Sequence, residues 1–364
     1  MNLTPRRCDS LGDPVAQNRR SFLRSALLAA AAVPLAPGLM ASQAPAGSRG
    51  TLKARRLSQG QTVGLISPAG ATWQSDEIKI IREALAALGL ESKVGRHALD
   101  RYGYLAGTDA DRAADVNAMF ADDSVDAVLC VRGGWGCNRI LPLVDFRAIA
   151  AHPKILLGYS DITSLLNAVQ ARTGLVTFHG PVGTSVWNAY SVDWLRRVLF
   201  KGEAVIMENP HVIGDSLVQI NDRVRTIRPG TARGRLLGGN LTVLAAMAGS
   251  PYLPDFNGAI LFLEDTNEHI YRIDRMLTQL KLAGILDRIA GFVFGNCTKC
   301  DPGDGHGSLS LEQVLDDHIL PLKIPAWAGA MIGHIENKFM VPVGIPAEID
   351  AALGTITMLE PAVR

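Results

Sequence analysis

The sequence predicts an α/β protein: an N-terminal three-layer domain built on a parallel sheet, then a smaller, β-rich α/β domain. Three observations carry this expectation. Short apolar runs at 62–67 (TVGLIS), 126–131 (DAVLCV) and 155–157 (ILL) have the length and composition of strands buried on both faces. Segments with apolar residues at helical spacing lie between them, and this alternation gives a parallel sheet covered on both sides. A second such series begins at Gly234, after a stretch broken by Pro210, Gly214, Pro229 and Gly230. The division is therefore 47–190 for the first domain, 191–233 for a linker with strand-like pieces, and 234–364 for the second domain.

The remaining residues, 1–46, read as an export signal. Arg19 and Arg20 stand ahead of an alanine-rich apolar run from Ala26 to Leu35, and Ala44-Pro45-Ala46 offers small residues for cleavage. The pattern resembles a twin-arginine signal, cleaved near Ala46, which places the mature chain in a bacterial periplasm. Pro34 and Pro37 interrupt the run, which is too short to span a bilayer, and Cys8 precedes it, so no stable membrane anchor is expected. A formal net charge of +1 without any Lys/Arg-rich patch argues against a nucleic-acid partner. Cys297 and Cys300 have metal-ligand spacing, but His306 and His318 follow at distances that fit no zinc pattern. No metal is expected; a local disulfide or buried thiols are the readings for an oxidising compartment.

In chain order, the strand at 62–67 runs into Pro68-Ala69-Gly70, a loop where a ligand can approach the backbone. A helix at 75–88 follows, with Ile78, Ile81, Leu85 and Leu88 on one face and Gly89 as its stop. A strand at 90–94, a helix at 110–120 and the strand at 126–131 come next, the last ending in Arg132-Gly133-Gly134-Trp135-Gly136. Beyond a helix near 137–143, Ile155–Leu157 breaks at Gly158-Tyr159-Ser160-Asp161, and Leu165, Leu166 and Val169 resume helical spacing. A further strand and turn is read at 177–180 and a helix at 193–200. In the second domain Gly238-Gly239-Asn240-Leu241 opens a helix, and 259–264 (AILFLE) is a strand ending on Glu264. A helix follows with Ile270, Ile273, Leu277 and Leu280. Strands at 289–294 and 325–333 flank a helix at 311–319, the later strand ending at His334, and 341–359 is β-rich closure.

A strand turning sharply into a helix with serine at the corner holds the hydroxyl clear of the sheet and aims backbone N–H groups at an oxyanion. Gly158 fits that pattern, although Ile162 stands where a second glycine belongs; Ser160 as a plain helix cap is the competing reading. The Gly133-Gly134 turn lacks the spacing of a dinucleotide loop and the acidic residue that would hold a ribose. It is read either as a tight turn or as a donor of backbone N–H to the space in front of Ser160. Glu264 and His334 both end strands and can share a sheet edge, where serine, imidazole and carboxylate make an activated nucleophile. Taken singly, Glu264 could pair with Arg272 or Arg275 and His334 could be a turn residue.

Eight stretches in order resemble the serine LD-carboxypeptidases, the muramoyltetrapeptide carboxypeptidase family that also includes microcin-immunity peptidases. They are SPAG from Ser67, YLAGTDADRAADVNAMF from Tyr104, VDAVLCVRGGWG from Val125, GYSDIT from Gly158, TFHGP from Thr177, LLGGNL from Leu236, LFLEDTNEHIYRIDRMLTQL from Leu261, and Gly333-His334 followed by PVG. The resemblance implies Ser160 as nucleophile, Glu264 and His334 as its partners, and oxyanion donors at Asp161 and at Gly133 or Gly134, in an active site between the two domains. It implies hydrolysis of the amide between the L-centre of a diamino acid and a terminal D-alanine in a murein tetrapeptide or related small peptide, without cofactor or metal, by a chain that forms a homodimer. Arg132 is the residue chosen to meet the substrate carboxylate. Two other functions are weighed: a peptidase for microcin-like peptide–nucleotide conjugates, with Trp135 or Trp187 clamping the base, and a periplasmic murein-peptide binding protein with no triad.

Overall fold

A computed structural model describes residues 50–303 and 307–364. The expected export signal and His306 lie outside the described residues.

The first sheet forms as the alternation requires. Strands β1 (Thr62–Ile66), β2 (Glu91–Val94), β3 (Ala127–Cys130), β4 (Ile155–Gly158) and β5 (Thr177–His179) alternate with helices α1 (Ser75–Ala87), α2 (Asp109–Ala121), α3 (Phe146–Ala151) and α4 (Thr163–Thr173). The strands are parallel in the order β2-β1-β3-β4-β5. The order reverses between β1 and β3, so the loops leaving those strands diverge and open a crevice at their carboxyl ends. Every residue of β3 and β4 is buried, which is why both read as unbroken apolar runs. Helix α1 buries Ile78, Ile81 and Leu85, and α2 starts from a Thr108–Asp111 capping box.

The second half of the chain carries α5 (Ala189–Leu195), β6 (Ile206–Glu208), β7 (Arg225–Arg228), β8 (Thr231–Asn240), α6 (Leu241–Met247), β9 (Ile260–Thr266) and α7 (Ile270–Leu282). It continues with β10 (Gly291–Thr298), α8 (Leu311–Ile319), β11 (Ala326–Ala328), β12 (Val341–Val343), β13 (Pro346–Asp350) and β14 (Thr355–Met358). Eight of these strands form one mixed sheet, β6-β14-β13-β8-β9-β10-β11-β7, with a parallel centre from β8 to β11. Helix α7 turns Ile270, Ile273, Leu277 and Leu280 inward, the face its periodicity predicts.

Four details differ from the sequence expectation. The stretch 191–233 is not a plain connector: it supplies β6 and β7, the two edge strands of the mixed sheet, and the start of β8. Strand β12 leaves the C-terminal half and closes the first sheet, antiparallel to β5, so the two halves share a strand. The strand expected over 325–333 stops at Ala328, because Gly329 has φ +96° and a Cβ there would stand 2.2 Å from the Arg223 carbonyl oxygen. Gly238 and Gly239 do not open α6 but end β8, where a Cβ on Gly239 would lie 2.6 Å from the Thr163 side chain. Glycine there lets α4 press against the second sheet, and almost every side chain of α4 is buried as a result. Two hydrogen bonds seal the contact: Asn240 N donates to Thr163 Oγ1 (3.0 Å) and Asn167 Nδ2 to the Gly238 carbonyl (2.9 Å).

Candidate active site

The corner after β4 carries backbone strain at one residue. Tyr159 is extended and Ser160 has φ +64°, a left-handed conformation that costs a non-glycine residue of order 1 kcal/mol or more. One turn of 3-10 helix, Ser160–Ile162, then leads into α4. Gly158 is required because a Cβ would meet Ile162 at 2.8 Å; the isoleucine fills the place of the second glycine and packs the inside of the corner.

Two further strand ends meet this corner. Glu264 lies in the buried part of β9 and is fully inaccessible; His334 is delivered by Gly333, whose φ of +121° turns the chain after β11. His334 Nε2 lies 3.0 Å from Ser160 Oγ, and Nδ1 lies 2.8 Å from Glu264 Oε2. The carboxylate selects the tautomer protonated at Nδ1, which leaves Nε2 to accept the serine proton. The His334 carbonyl accepts from Thr298 Oγ1 at 3.2 Å, and the Tyr159 ring packs on the imidazole at 4.8 Å between centroids, so the histidine is held from both ends.

Gly133 packs directly on the nucleophile: a Cβ would stand 2.8 Å from Ser160 Cβ, 3.0 Å from its Oγ and 3.5 Å from the Asp161 nitrogen. The Gly133 carbonyl accepts from Gly70 N at 3.1 Å. Asp161 points its buried side chain the other way and accepts from Cys137 N at 2.7 Å, burial raising its pKa to about 6. Beneath these loops Arg112, also buried, donates from Nη1 to the carbonyls of Pro68 (2.5 Å) and Gly136 (2.8 Å) and from Nη2 to Asp109. It ties the loop after β1 to the loop after β3.

A second layer lies behind the imidazole. Lys338 is buried with Nζ 4.6 Å over the Tyr159 ring, and burial lowers its pKa to about 8. His179, on β5, is buried against Tyr159 and Phe262, and burial lowers its pKa to about 4, so it stays neutral.

The structure thus brings Ser160, Glu264, His334, Gly133, Gly134 and Asp161 to one place, and Gly134, Ser160 and Asp161 line a cleft of ≈ 180 Å³. Arg132 is not among the residues that line this cleft; its Nη1 donates to the Ala71 carbonyl (3.1 Å) and faces Glu77 at 3.7 Å. Trp135 lines the cleft and is half exposed, whereas Trp187 packs under the first sheet with Nε1 donating to the Gly183 carbonyl. Cys297 and Cys300 form a disulfide, one of the two readings left open for the pair. Among the described residues, His97, Asp100 and Asp111 come close enough together to share a cation; they lie beyond β2, outside the cleft. The sequence reading missed Arg112 and Lys338. Arg112 was visible as a charged residue on the apolar face of α2, beside Ala113 and Val116.

The pattern of the LD-carboxypeptidase N-terminal domain matches residues 63–180, and that of the LD-carboxypeptidase C-terminal domain matches residues 233–349. The chain belongs to the LD-carboxypeptidase family. Membership makes it a serine peptidase, a hydrolase. A probable murein peptide carboxypeptidase of Bacillus subtilis is 41% identical over 300 residues, 82% of this chain and 92% of that protein. The muramoyltetrapeptide carboxypeptidase of Oxalobacter formigenes superposes with a TM-score of 0.71 at 28% identity, covering 83% of this chain and all of that one. The microcin C7 self-immunity protein of Escherichia coli is 28% identical over 85% of this chain and 96% of that protein. Its solved structure gives a TM-score of 0.77 at 26% identity, over 86% of this chain and all of the other. The architecture of two α/β halves is therefore shared with the two solved structures.

Proposed function

We propose that this LD-carboxypeptidase hydrolyses the amide between the L-centre of a diamino acid and the terminal D-alanine of murein tetrapeptides. The observation that carries the reading is the hydrogen-bonded series Ser160–His334–Glu264, built on a strained corner with its carboxylate wholly buried. Ser160 Oγ attacks the carbonyl carbon while His334 Nε2 takes its proton, and Glu264 stabilises the imidazolium. The tetrahedral oxyanion is received by backbone N–H groups of Asp161 and Gly134. Gly134 is the better candidate of the glycine pair on geometry. In a trans peptide the N–H points opposite the carbonyl, and the Gly133 carbonyl is bonded to Gly70, so the Gly134 N–H faces away from that loop. His334 then protonates the departing amine of D-alanine, and water, deprotonated by the same nitrogen, cleaves the acyl-enzyme.

The reading of residues 1–46 as an export signal supports a periplasmic role for this chemistry, the trimming of wall-derived peptides. The test is D-alanine release from a purified murein tetrapeptide by the wild-type protein and by Ser160→Ala. Loss of turnover of at least ~10³-fold is expected, as for other triad nucleophiles; release unaffected by the substitution removes Ser160 from the mechanism. A second reading, hydrolysis of a peptide–nucleotide conjugate, draws on the half-exposed Trp135 ring in the cleft wall, a surface on which a base could stack. Faster turnover of an aspartyl sulfamoyl adenosine than of the tetrapeptide would favour it. A pure binding protein has no use for a strained serine poised on an imidazole.

A further inference from the structure

The disulfide at the end of β10 takes no part in the chemistry at Ser160, yet it closes a turn that touches the main chain of His334. Strand β10 pairs with β9 as far as Phe294 and slips. It resumes with Cys297 opposite Asp265 and Thr298 opposite Thr266, the two residues that follow Glu264. The slipped segment cradles the chain leading to His334. Asn296 N donates to the Ile332 carbonyl (2.9 Å), Asn296 Nδ2 to the Ala330 carbonyl (2.9 Å) and Thr298 Oγ1 to the His334 carbonyl (3.2 Å). Glycine at 295 permits the approach, since a Cβ there would stand 2.5 Å from the Ile332 carbonyl oxygen.

Of these three bonds only the last reaches His334 itself, and its donor, Thr298, lies between the two cysteines. Lys299 completes the turn at φ +56°, a left-handed conformation that a lysine keeps only where its surroundings impose it. The backbone contact across the turn is long, Cys300 N to the Cys297 carbonyl at 3.4 Å. It is the covalent bond that closes this turn. A ring so small removes little freedom from the unfolded chain, so the bond adds little to global stability and acts locally. Both cysteines are only partly buried, whereas Cys130 and Cys137 are wholly buried, so a reductant meets the Cys297–Cys300 pair first.

We infer that Cys297 and Cys300 are positioning residues whose disulfide holds Thr298 against the His334 carbonyl, so that turnover follows the thiol–disulfide balance of the surroundings. The inference rests on the peptidase reading above. One thiolate of a dithiol reductant attacks a sulfur of the pair and displaces the other, and its second thiolate then displaces the protein from the mixed disulfide. Two electrons pass to the protein, each cysteine takes up a proton, and the reductant leaves as a cyclic disulfide. The turn relaxes, the Thr298 hydroxyl draws away from the His334 carbonyl, and the imidazole loses its alignment with Ser160. A shift of a fraction of an ångström at a reacting group corresponds to about tenfold in kcat. The enzyme thus works at full rate in an oxidising compartment and is damped where thiols are kept reduced.

The experiment follows D-alanine release from a murein tetrapeptide by the full chain when oxidised, reduced with dithiothreitol and reoxidised, with reactive thiols titrated in each state. Reduction is expected to expose the thiols of Cys297 and Cys300 and to lower kcat by about tenfold with KM within about twofold, and reoxidation to reverse both. Thr298→Val should show the same loss while oxidised and respond to dithiothreitol by less than about twofold, because the bond through which the disulfide acts is already gone. Thr298→Ser keeps the hydroxyl and should behave as the wild type. The double variant Cys297→Ser, Cys300→Ser should match the reduced wild type and ignore the reductant. Failure of the two thiols to appear, a reduced kcat within about twofold of the oxidised value, or a full response in Thr298→Val overturns the inference and leaves the carboxypeptidase reading intact. No release by the oxidised wild type overturns both.

Discussion

Substituting Gly133 by alanine tests the geometry of the nucleophile more sharply than removing the nucleophile. The added methyl would lie 2.8 Å from Ser160 Cβ and 3.0 Å from Oγ, whereas an ordinary carbon contact is about 3.5–4.0 Å. The two must separate by roughly 0.7–1 Å, and neither side yields easily. Ser160 is fixed at φ +64° between β4 and α4, with Oγ 3.0 Å from His334 Nε2. The Gly133 carbonyl is fixed to Gly70 N, and the adjoining Gly136 carbonyl is held by Arg112. Overpacking of this kind costs about 1–3 kcal/mol. Displacement of a reacting group by ~1 Å costs about 10²-fold in rate. Gly133→Ala should therefore fold, melt a few degrees below the wild type, and lose about two orders of magnitude in kcat for D-alanine release. Turnover within threefold of the wild type at an unchanged melting temperature would mean that the main chain at 133 does not lie against the serine, and the oxyanion assignment would fall with it.

Arg112→Met leaves the Pro68 and Gly136 carbonyls without their buried donor, while Asp109 keeps Arg139 as its partner. A loss of about 3 kcal/mol or more by urea unfolding is expected, together with reduced kcat as the two loops slacken; an unchanged midpoint would show that Arg112 does not hold the loops together. Asp161 has a folded pKa of about 6 against an ordinary value of 3.8, so the folded state binds the proton more tightly than the unfolded chain. Its favourable contribution is complete below pH 3.8 and is lost as pH rises through about 6. Asp161→Asn keeps an oxygen acceptor for Cys137 N and removes that loss. The variant should be more stable than the wild type by up to about 3 kcal/mol at pH 8, the difference vanishing near pH 4. A difference independent of pH would refute the burial argument.

How much of this was legible in the sequence depended on whether a feature was local. The strands of the first sheet and the inward face of α7 follow from unbroken apolar runs and from 3.6-residue spacing, signals confined to a dozen positions. The corner at Ser160 was legible for the same reason, since Gly158 and the helical spacing after it lie within a few residues. Features set by distant partners were not legible. Nothing in the composition of Val341–Val343 reveals that it pairs with β5 rather than with β13, its neighbour in the chain. Arg132 is chosen from the sequence because a substrate carboxylate needs a cation, and its contacts with Ala71 and Glu77, more than fifty residues away, are not legible there. The glycines of LLGGNL read as a helix opening because the groups that require them, the Phe262 carbonyl at Gly238 and the Thr163 side chain at Gly239, belong to other elements.

That last contact bears on how the site is held. The serine comes from the first sheet, and the glutamate and histidine come from the second, an arrangement that in many two-domain proteins would be assembled only by closure. Here the helix that follows the serine is bonded to the strand beside the glutamate, through Thr163 to Asn240 and through Asn167 to Gly238. Strand β12 further commits the C-terminal half to the first sheet seven residues after His334. A relative rotation of the two sheets would have to break these bonds and drive the Gly239 main chain against Thr163. Preorganisation of the relay is therefore a property of the packed junction, which fixes the 3.0 Å and 2.8 Å contacts among its three side chains.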